Sequence, residues 1–329
     1  NRRLAPIDFK AVGYSSDKAI YDAYIPRVLD PATFEGKLYG LPLELTNWCI
    51  YVNDRIFRNA GLNPDKDYPK TWEEVVEVSE KIVIREGQII KRRGFDFRYP
   101  YYLVSTVPMV EQLGGKLISD DGKTAIINDQ AWIKFLTFMK EWGPNGKNLG
   151  SPTYTNARNL FNKDKNDIAM CVSGLYQQGR IRQDNPEFYN SREWRVIPFP
   201  VFKNAVKNVA CNYYGHYFVV NASKPKENQQ MTWKLIGHML SHSEEYLLKV
   251  GLIQPTVKLM KSETFKAMPY ANVFKEDMER GHIVYYGENS AKIQTHIREA
   301  VESVMLAGAS PEGALGKLKR RAQEALQER

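Results

Sequence analysis

Five consecutive apolar residues, Ile168-Ala169-Met170-Cys171-Val172, stand between Asn166-Asp167 and Ser173-Gly174, and no other stretch limits the fold as strongly. A strand with one wet face alternates apolar and polar side chains. A run that is apolar at every position is buried on both faces, inside a sheet that other elements cover above and below. Runs of the same kind at Trp48-Cys49-Ile50-Tyr51-Val52, Trp194 to Phe199 and Tyr217 to Val220 predict further strands. Between them the hydrophobic period lengthens to that of a helix. Thr71-Trp72-Glu73-Glu74 is a capping box, in which the Thr hydroxyl accepts the Glu74 N–H and the carboxylate reaches back; the helix it opens is expected to end near Gly87. Asn128 is placed to cap a helix carrying Trp132, Phe135, Leu136 and Met139 and stopping at Gly143-Pro144. Amphipathic helices follow over about 226–241, 244–250, 291–306 and 311–327, and Trp72, Trp132 and Trp233 sit on helix faces that belong to cores. Strands separated by helices, with few hairpin signals, indicate an α/β architecture. The first 35 residues carry Tyr14, Tyr21, Tyr24, Pro26, Pro31 and Phe34 with no clear period and read as surface wrapping.

The chain has 329 residues, enough for two compact units that each bury a core. Its net charge of +8 is spread along the sequence, with short runs only at Lys91-Arg92-Arg93 and Lys317 to Arg321, and a short run reads as a solvated face. Neither zinc-finger spacing nor an RNP-like aromatic motif accompanies the charge, so nucleic-acid binding is not expected. Cys49, Cys171 and Cys211 are an odd set without C-x-x-C, which spells out no zinc site and leaves room for one pair at most. No run of 18 apolar residues exists.

Enzymatic signatures are absent as patterns. Neither G-x-x-x-x-G-K-[ST] nor G-x-G-x-x-G occurs, so no glycine-rich turn presents backbone N–H groups to a phosphate, and no G-x-S-x-G elbow surrounds Ser173, which reads as a turn residue. His238 and His242 share a helix face but lack the H-E-x-x-H glutamate and a third ligand; two partly exposed histidines are expected rather than a metal site. Asn162, Asp164, Asn166 and Asp167 alternate oxygen-bearing side chains without the glycine and terminal glutamate of a calcium loop, and read as a solvated loop. No metal and no cofactor is expected.

Four segments together resemble the family 1 extracellular solute-binding proteins, the maltose-binding-protein-like sugar-binding components of bacterial ABC importers. The first comprises Gly36-Lys37-Leu38-Tyr39-Gly40-Leu41-Pro42, then the stretch from Ile50 to Leu62, then Pro69-Lys70-Thr71-Trp72-Glu73-Glu74. The second is Leu113-Gly114-Gly115-Lys116-Leu117 with Asp121-Gly122-Lys123. The third runs from Phe161 through Ala169-Met170 to Gly174-Leu175-Tyr176, with Tyr176 where the family commonly has Trp. The fourth joins Val219 to Lys224 with Trp233-Lys234-Leu235-Ile236, Gly251 to Pro255 and Gly308 to Leu315. The order and spacing cover residues 36 to about 327. The family's opening strand and helix units have no counterpart, so about 100 residues of the first lobe are expected to lie outside this sequence, at 30 or more residues per unit.

The resemblance implies a two-lobed, periplasmic-binding-protein-like α/β fold of type II whose lobes are joined by crossing strands, with ligand held between them by hinge closure. Residues 1–48 and 214–275 would form the remainder of the N-terminal lobe, and 49–213 and 276–329 the C-terminal lobe. The implied function is that of an extracytoplasmic, periplasmic or membrane-anchored binding protein, a monomer without catalytic residues, that captures a carbohydrate and presents it to membrane permease subunits. A carbohydrate-active enzyme using the same cleft is the alternative. Sugar recognition needs an aromatic face and polar rim partners. The matching positions make Tyr176 a candidate contact, with a packed core tyrosine as the other reading; Glu44, Thr46, Asn47 and Trp48 follow the Gly-Leu-Pro turn, and Trp48 is equally readable as core. Tyr213, Tyr214 and His216 surround Gly215 at the second crossing, and Tyr285 and Tyr286 precede the 291 helix.

Overall fold

The computed structural model describes residues 3–97, 103–211, 214–282 and 289–328, and of Tyr214 and Ser290 only the backbone. The chain divides into two compact units, Asn1–Thr46 with Tyr213–Asn272, and Asn47–Asn212 with Val273–Arg329.

The larger unit is built on a five-stranded sheet, and the all-apolar Ile168–Ser173 run is its middle strand. On one side lies Cys49–Asn53, antiparallel to it, which in turn pairs antiparallel with Trp194–Ile197; on the other lies Ile89–Asp96, parallel to it, which pairs antiparallel with Ile84–Glu86. Helices cover both faces, as burial of every side chain in the central strand requires. The Trp72–Ile82 helix carries the expected capping box at Thr71 and Glu74. It approaches the Ile89–Asp96 strand so closely that a Cβ on Gly94 would stand 2.3 Å from Ser79 Cα. Trp72 stacks at 5.4 Å on Phe97 and meets Phe95, Phe138, Phe199 and Phe202 edge-on or tilted, forming one aromatic core. Tyr51, Phe161, Phe188 and Trp194 form a second. The Asp129–Trp142 helix is capped by Asn128 and ends at Gly143, as the sequence predicts, and packs with Ser290–Met305 and Pro311–Gln327.

The smaller unit has a three-stranded antiparallel sheet, Leu4–Ala5, Tyr214–Asn221 and Gly40–Thr46 in that order. Its helices include Asp17–Ala23, Lys226–Leu240 and Ser243–Val250. Trp233, Trp72 and Trp132 are all buried. No helix among the described residues is long and apolar enough to cross a membrane.

Five local expectations need correction. The helix opened by Thr71 ends at Ile82 rather than near Gly87, because Gly87, at φ +59°, instead turns the hairpin between Ile84–Glu86 and Ile89–Asp96. That hairpin and two smaller ones also exceed the few that the turn signals indicate. The first 35 residues do more than wrap the surface: Ser16 caps the Asp17–Ala23 helix, and Val12, Ile20, Tyr24, Val28 and Leu29 are core. Their backbone is anchored at a distance, with the Ile25 N–H donating to Pro255 O at 3.0 Å, while Val12 lies so near Gly237 that a Cβ on that glycine would stand 2.7 Å from Val12 Cα. Lys91-Arg92-Arg93 is not a uniformly solvated face, because it lies in a strand whose side chains alternate. Arg92 turns inward to bond Ile82 O at 2.9 Å and Asn166 Oδ1 at 3.0 Å, and Arg93 packs its guanidinium 3.6 Å from the Tyr154 ring centroid. The acidic loop is likewise engaged: Asp164 pairs with Arg55 and accepts from Asn53.

Candidate functional site

Where two neighbouring strands run parallel, their carboxyl ends open toward the same side, and the loops and helix N-termini that follow converge there. In this chain the parallel pair is Ile89–Asp96 and Ile168–Ser173, with Cys171 opposite Asp96. Tyr176 stands at that end, as the first residue of the Tyr176–Asp184 helix. A buried polar net fixes the turn beneath it. Tyr51 Oη donates to Gly174 O at 2.9 Å and Ser173 Oγ to Gln177 Oε1 at 3.1 Å. Gln177 Nε2 in turn reaches Asn162 Oδ1 at 2.6 Å, and Asn162 Nδ2 reaches Asp184 Oδ2 at 2.8 Å. Each of these side chains has a partner, so the net is rigid rather than costly.

Tyr176 itself is half-buried. Arg158, from the Ala157–Lys163 helix, donates from Nη1 to Tyr176 Oη at 2.9 Å, and its guanidinium carbon lies 5.6 Å from the ring centroid. Arg180, one helical turn on from Tyr176, lies 5.5 Å from the same centroid and is exposed. Both distances are within cation–π reach. A second arginine–tyrosine pair, Arg93 with Tyr154, belongs to the same unit; burial, opposed by Arg93, pushes the Tyr154 phenol up to about 12.

In the smaller unit the strand register brings Glu44 and His216 opposite each other, with Glu44 Oε1 2.6 Å from His216 Nδ1. The carboxylate side chain is 10% exposed and the imidazole 69%, so the histidine lies over a nearly buried acid. The register shifts between His216 and Tyr217, and a Cβ on Gly215 would stand 2.2 Å from Glu44 O, which makes glycine the residue that allows this approach. Thr46 is buried opposite Tyr214.

Asn47 and Trp48 open the larger unit and are both buried; Asn47 Nδ2 donates to Phe274 O at 3.0 Å. Thus the structure joins Glu44 to His216 and Thr46 to the Tyr214 backbone, and gives Asn47, Trp48 and Tyr176 to the other unit. Tyr213, Tyr285 and Tyr286 lie outside the described residues. Arg158 and Arg180 are the residues that sequence reasoning missed. The four-residue step from Tyr176 to Arg180 was a readable signal for one of them; Arg158 comes from another helix and gave none. His238 and His242 stack edge to face at 4.7 Å, with His242 Nδ1 2.8 Å from His238 O, and no group of three His, Cys, Asp or Glu among the described residues could hold a metal ion. The three cysteines are buried thiols, and none is in a disulfide among the described residues.

A sequence profile described as bacterial extracellular solute-binding protein matches residues 3–246. A binding protein of Brucella abortus is 22% identical over 237 residues, which are 69% of this chain and 52% of that protein. An arabinooligosaccharide-binding protein of Halalkalibacterium halodurans is 20% identical over 302 residues, 89% of this chain and 62% of the relative. The chain therefore spans about half to three-fifths of the length of these curated relatives. Among solved structures, an ABC transporter solute-binding protein from Thermotoga lettingae bound with α-D-tagatose superposes with a TM-score of 0.80 at 20% identity, over 98% of this chain and 80% of that one. The two-lobed binding-protein fold is common to both.

Proposed function

Because the chain belongs to the bacterial extracellular solute-binding protein family, we propose that it is the capture component of an ABC importer, holding a sugar or sugar derivative outside the cytoplasmic membrane and passing it to permease subunits. The observation that carries this reading is the placing of Tyr176 and its arginines at the carboxyl ends of the parallel strand pair, on a turn that buried hydrogen bonds hold rigid. A preorganised face with an aromatic ring and directed donors suits a ligand that is mostly hydroxyl and ring oxygen. The names of the arabinooligosaccharide-binding relative and of the tagatose-bound neighbour favour carbohydrate. Within the larger unit this reading assigns ligand contact to Tyr176; within the smaller unit the Glu44–His216 pair is the candidate.

The test is a thermal-shift and calorimetric screen of the full-length protein against mono-, di- and oligosaccharides. A ligand present at 100 times its Kd is expected to add about 2.7 kcal/mol of stability. A shift that Tyr176→Ala abolishes, with the sugar recovered unchanged, supports capture for transport. Release of a cleaved product would replace it with the enzyme reading, and no response to any saccharide would overturn it.

A further inference from the structure

Resting on that reading, we infer that the Tyr176 face selects an acidic ligand, a saccharide bearing a carboxylate or phosphate, through Arg180, Arg158 and the Tyr176 hydroxyl. The argument is one of donor and acceptor supply. Arg158 donates to Tyr176 Oη, so the phenol oxygen is engaged as an acceptor while the hydroxyl keeps a proton of its own to donate. Arg180 carries five N–H donors, and among the described residues it forms neither an ion pair nor a hydrogen bond with any acid or carbonyl and lies against the Tyr176 ring. Guanidinium groups only donate. The side chains converging at the ring therefore offer donors.

A neutral sugar hydroxyl that accepts one of these bonds still carries a proton that needs an acceptor. A carboxylate or phosphate oxygen carries none, and two of them match the planar fork of a guanidinium, in the stronger charge-assisted class of hydrogen bond. The ring is also poorly suited to act as a bare platform, because two cations already engage its electron-rich faces. Neither Gln177 nor Asn162 offers relief as an acceptor, since the side-chain oxygen of each is taken by the net below.

Calorimetry on the full-length protein separates the possibilities. The probes are a hexose, the corresponding hexuronate and the corresponding hexose phosphate, each as monosaccharide and, for the first two, as short oligomers. The expected result is that one acidic form binds at least tenfold more tightly than its neutral counterpart, that its affinity falls as salt rises, and that Arg180→Gln lowers the acidic-to-neutral affinity ratio at least tenfold. Tyr176→Phe, which keeps the ring and removes the outward donor, is expected to lower the same ratio; because it preserves packing, it serves where Arg180→Gln fails to fold. Preference for the uronate names a carboxylate, preference for the phosphate ester a phosphate. Equal or tighter binding of neutral sugars, with an unaltered ratio in both variants, would overturn this inference and leave sugar capture standing. Failure of every saccharide to bind would instead remove the reading on which it rests.

Discussion

Gln112 should be among the most costly side chains of the larger unit to remove, and the structure allows the cost to be worked out. It is fully buried at the end of the Leu103–Gln112 helix, the helix that follows the Ile89–Asp96 strand in sequence. Its Nε2 donates to Pro200 O at 2.9 Å and to Val209 O at 2.7 Å, and its Oε1 accepts from Trp72 Nε1 at 3.2 Å. Gln112→Ala therefore strands three polar groups and opens a cavity. A buried group left without its partner costs about 1–3 kcal/mol. The Val209 bond is only part-buried, so water replaces some of that loss. The total comes to about 3–5 kcal/mol, carried by the larger unit. Urea unfolding followed by tryptophan fluorescence reads it, with the transition assigned to that unit because a two-unit chain need not unfold in one step. Gln112→Glu adds a signature in pH. Its carboxylate would face two carbonyls, so burial should hold its folded pKa above the unfolded value near 4.3. Below that value both states are protonated and the acid can still donate one bond; as pH rises through the folded pKa, the variant loses stability relative to the parent. A loss under 1 kcal/mol for Gln112→Ala, or a Gln112→Glu penalty that does not change with pH, would refute the reasoning.

Two further outcomes are expected. Gly215→Ala should destabilise the smaller unit by about 1–3 kcal/mol and displace His216 from Glu44, because the new methyl would meet Glu44 O at 2.2 Å; thermal unfolding checks it, and an increase in stability, the usual result of replacing an unconstrained glycine, would show that the strands do not approach so closely. Cys49 and Cys211 should resist a thiol reagent at pH 8 until the chain is unfolded, since burial, reinforced at Cys49 by Asp277, pushes both thiols up. Because the folded protein retains these protons above pH 9, where the unfolded chain has released them, stability should fall as pH climbs past 9; rapid labelling of the native protein would contradict both statements.

What the sequence determined by itself is what depends on near neighbours in the chain. The all-apolar run at Ile168 became the central strand because no other environment accepts it. Thr71 with Glu74, and Asn128 with Gly143, marked three of four helix ends, because caps act within one turn. The order of the family segments was legible for the same reason. Gly87 misled because a glycine with positive φ serves a hairpin as readily as a helix end. Tertiary structure decided the rest. Glu44 and His216 are 172 residues apart, and only strand register brings them into contact. Arg158 reaches Tyr176 from a separate helix, and Arg92 looks like a solvated cation until the carbonyl of Ile82 and the amide of Asn166 close around it. Local conformation follows from propensity and capping over a few residues, whereas a side chain's partners follow from crossovers and register that no short window contains. The chemistry of the candidate site, donors gathered around one tyrosine, belongs to the second kind.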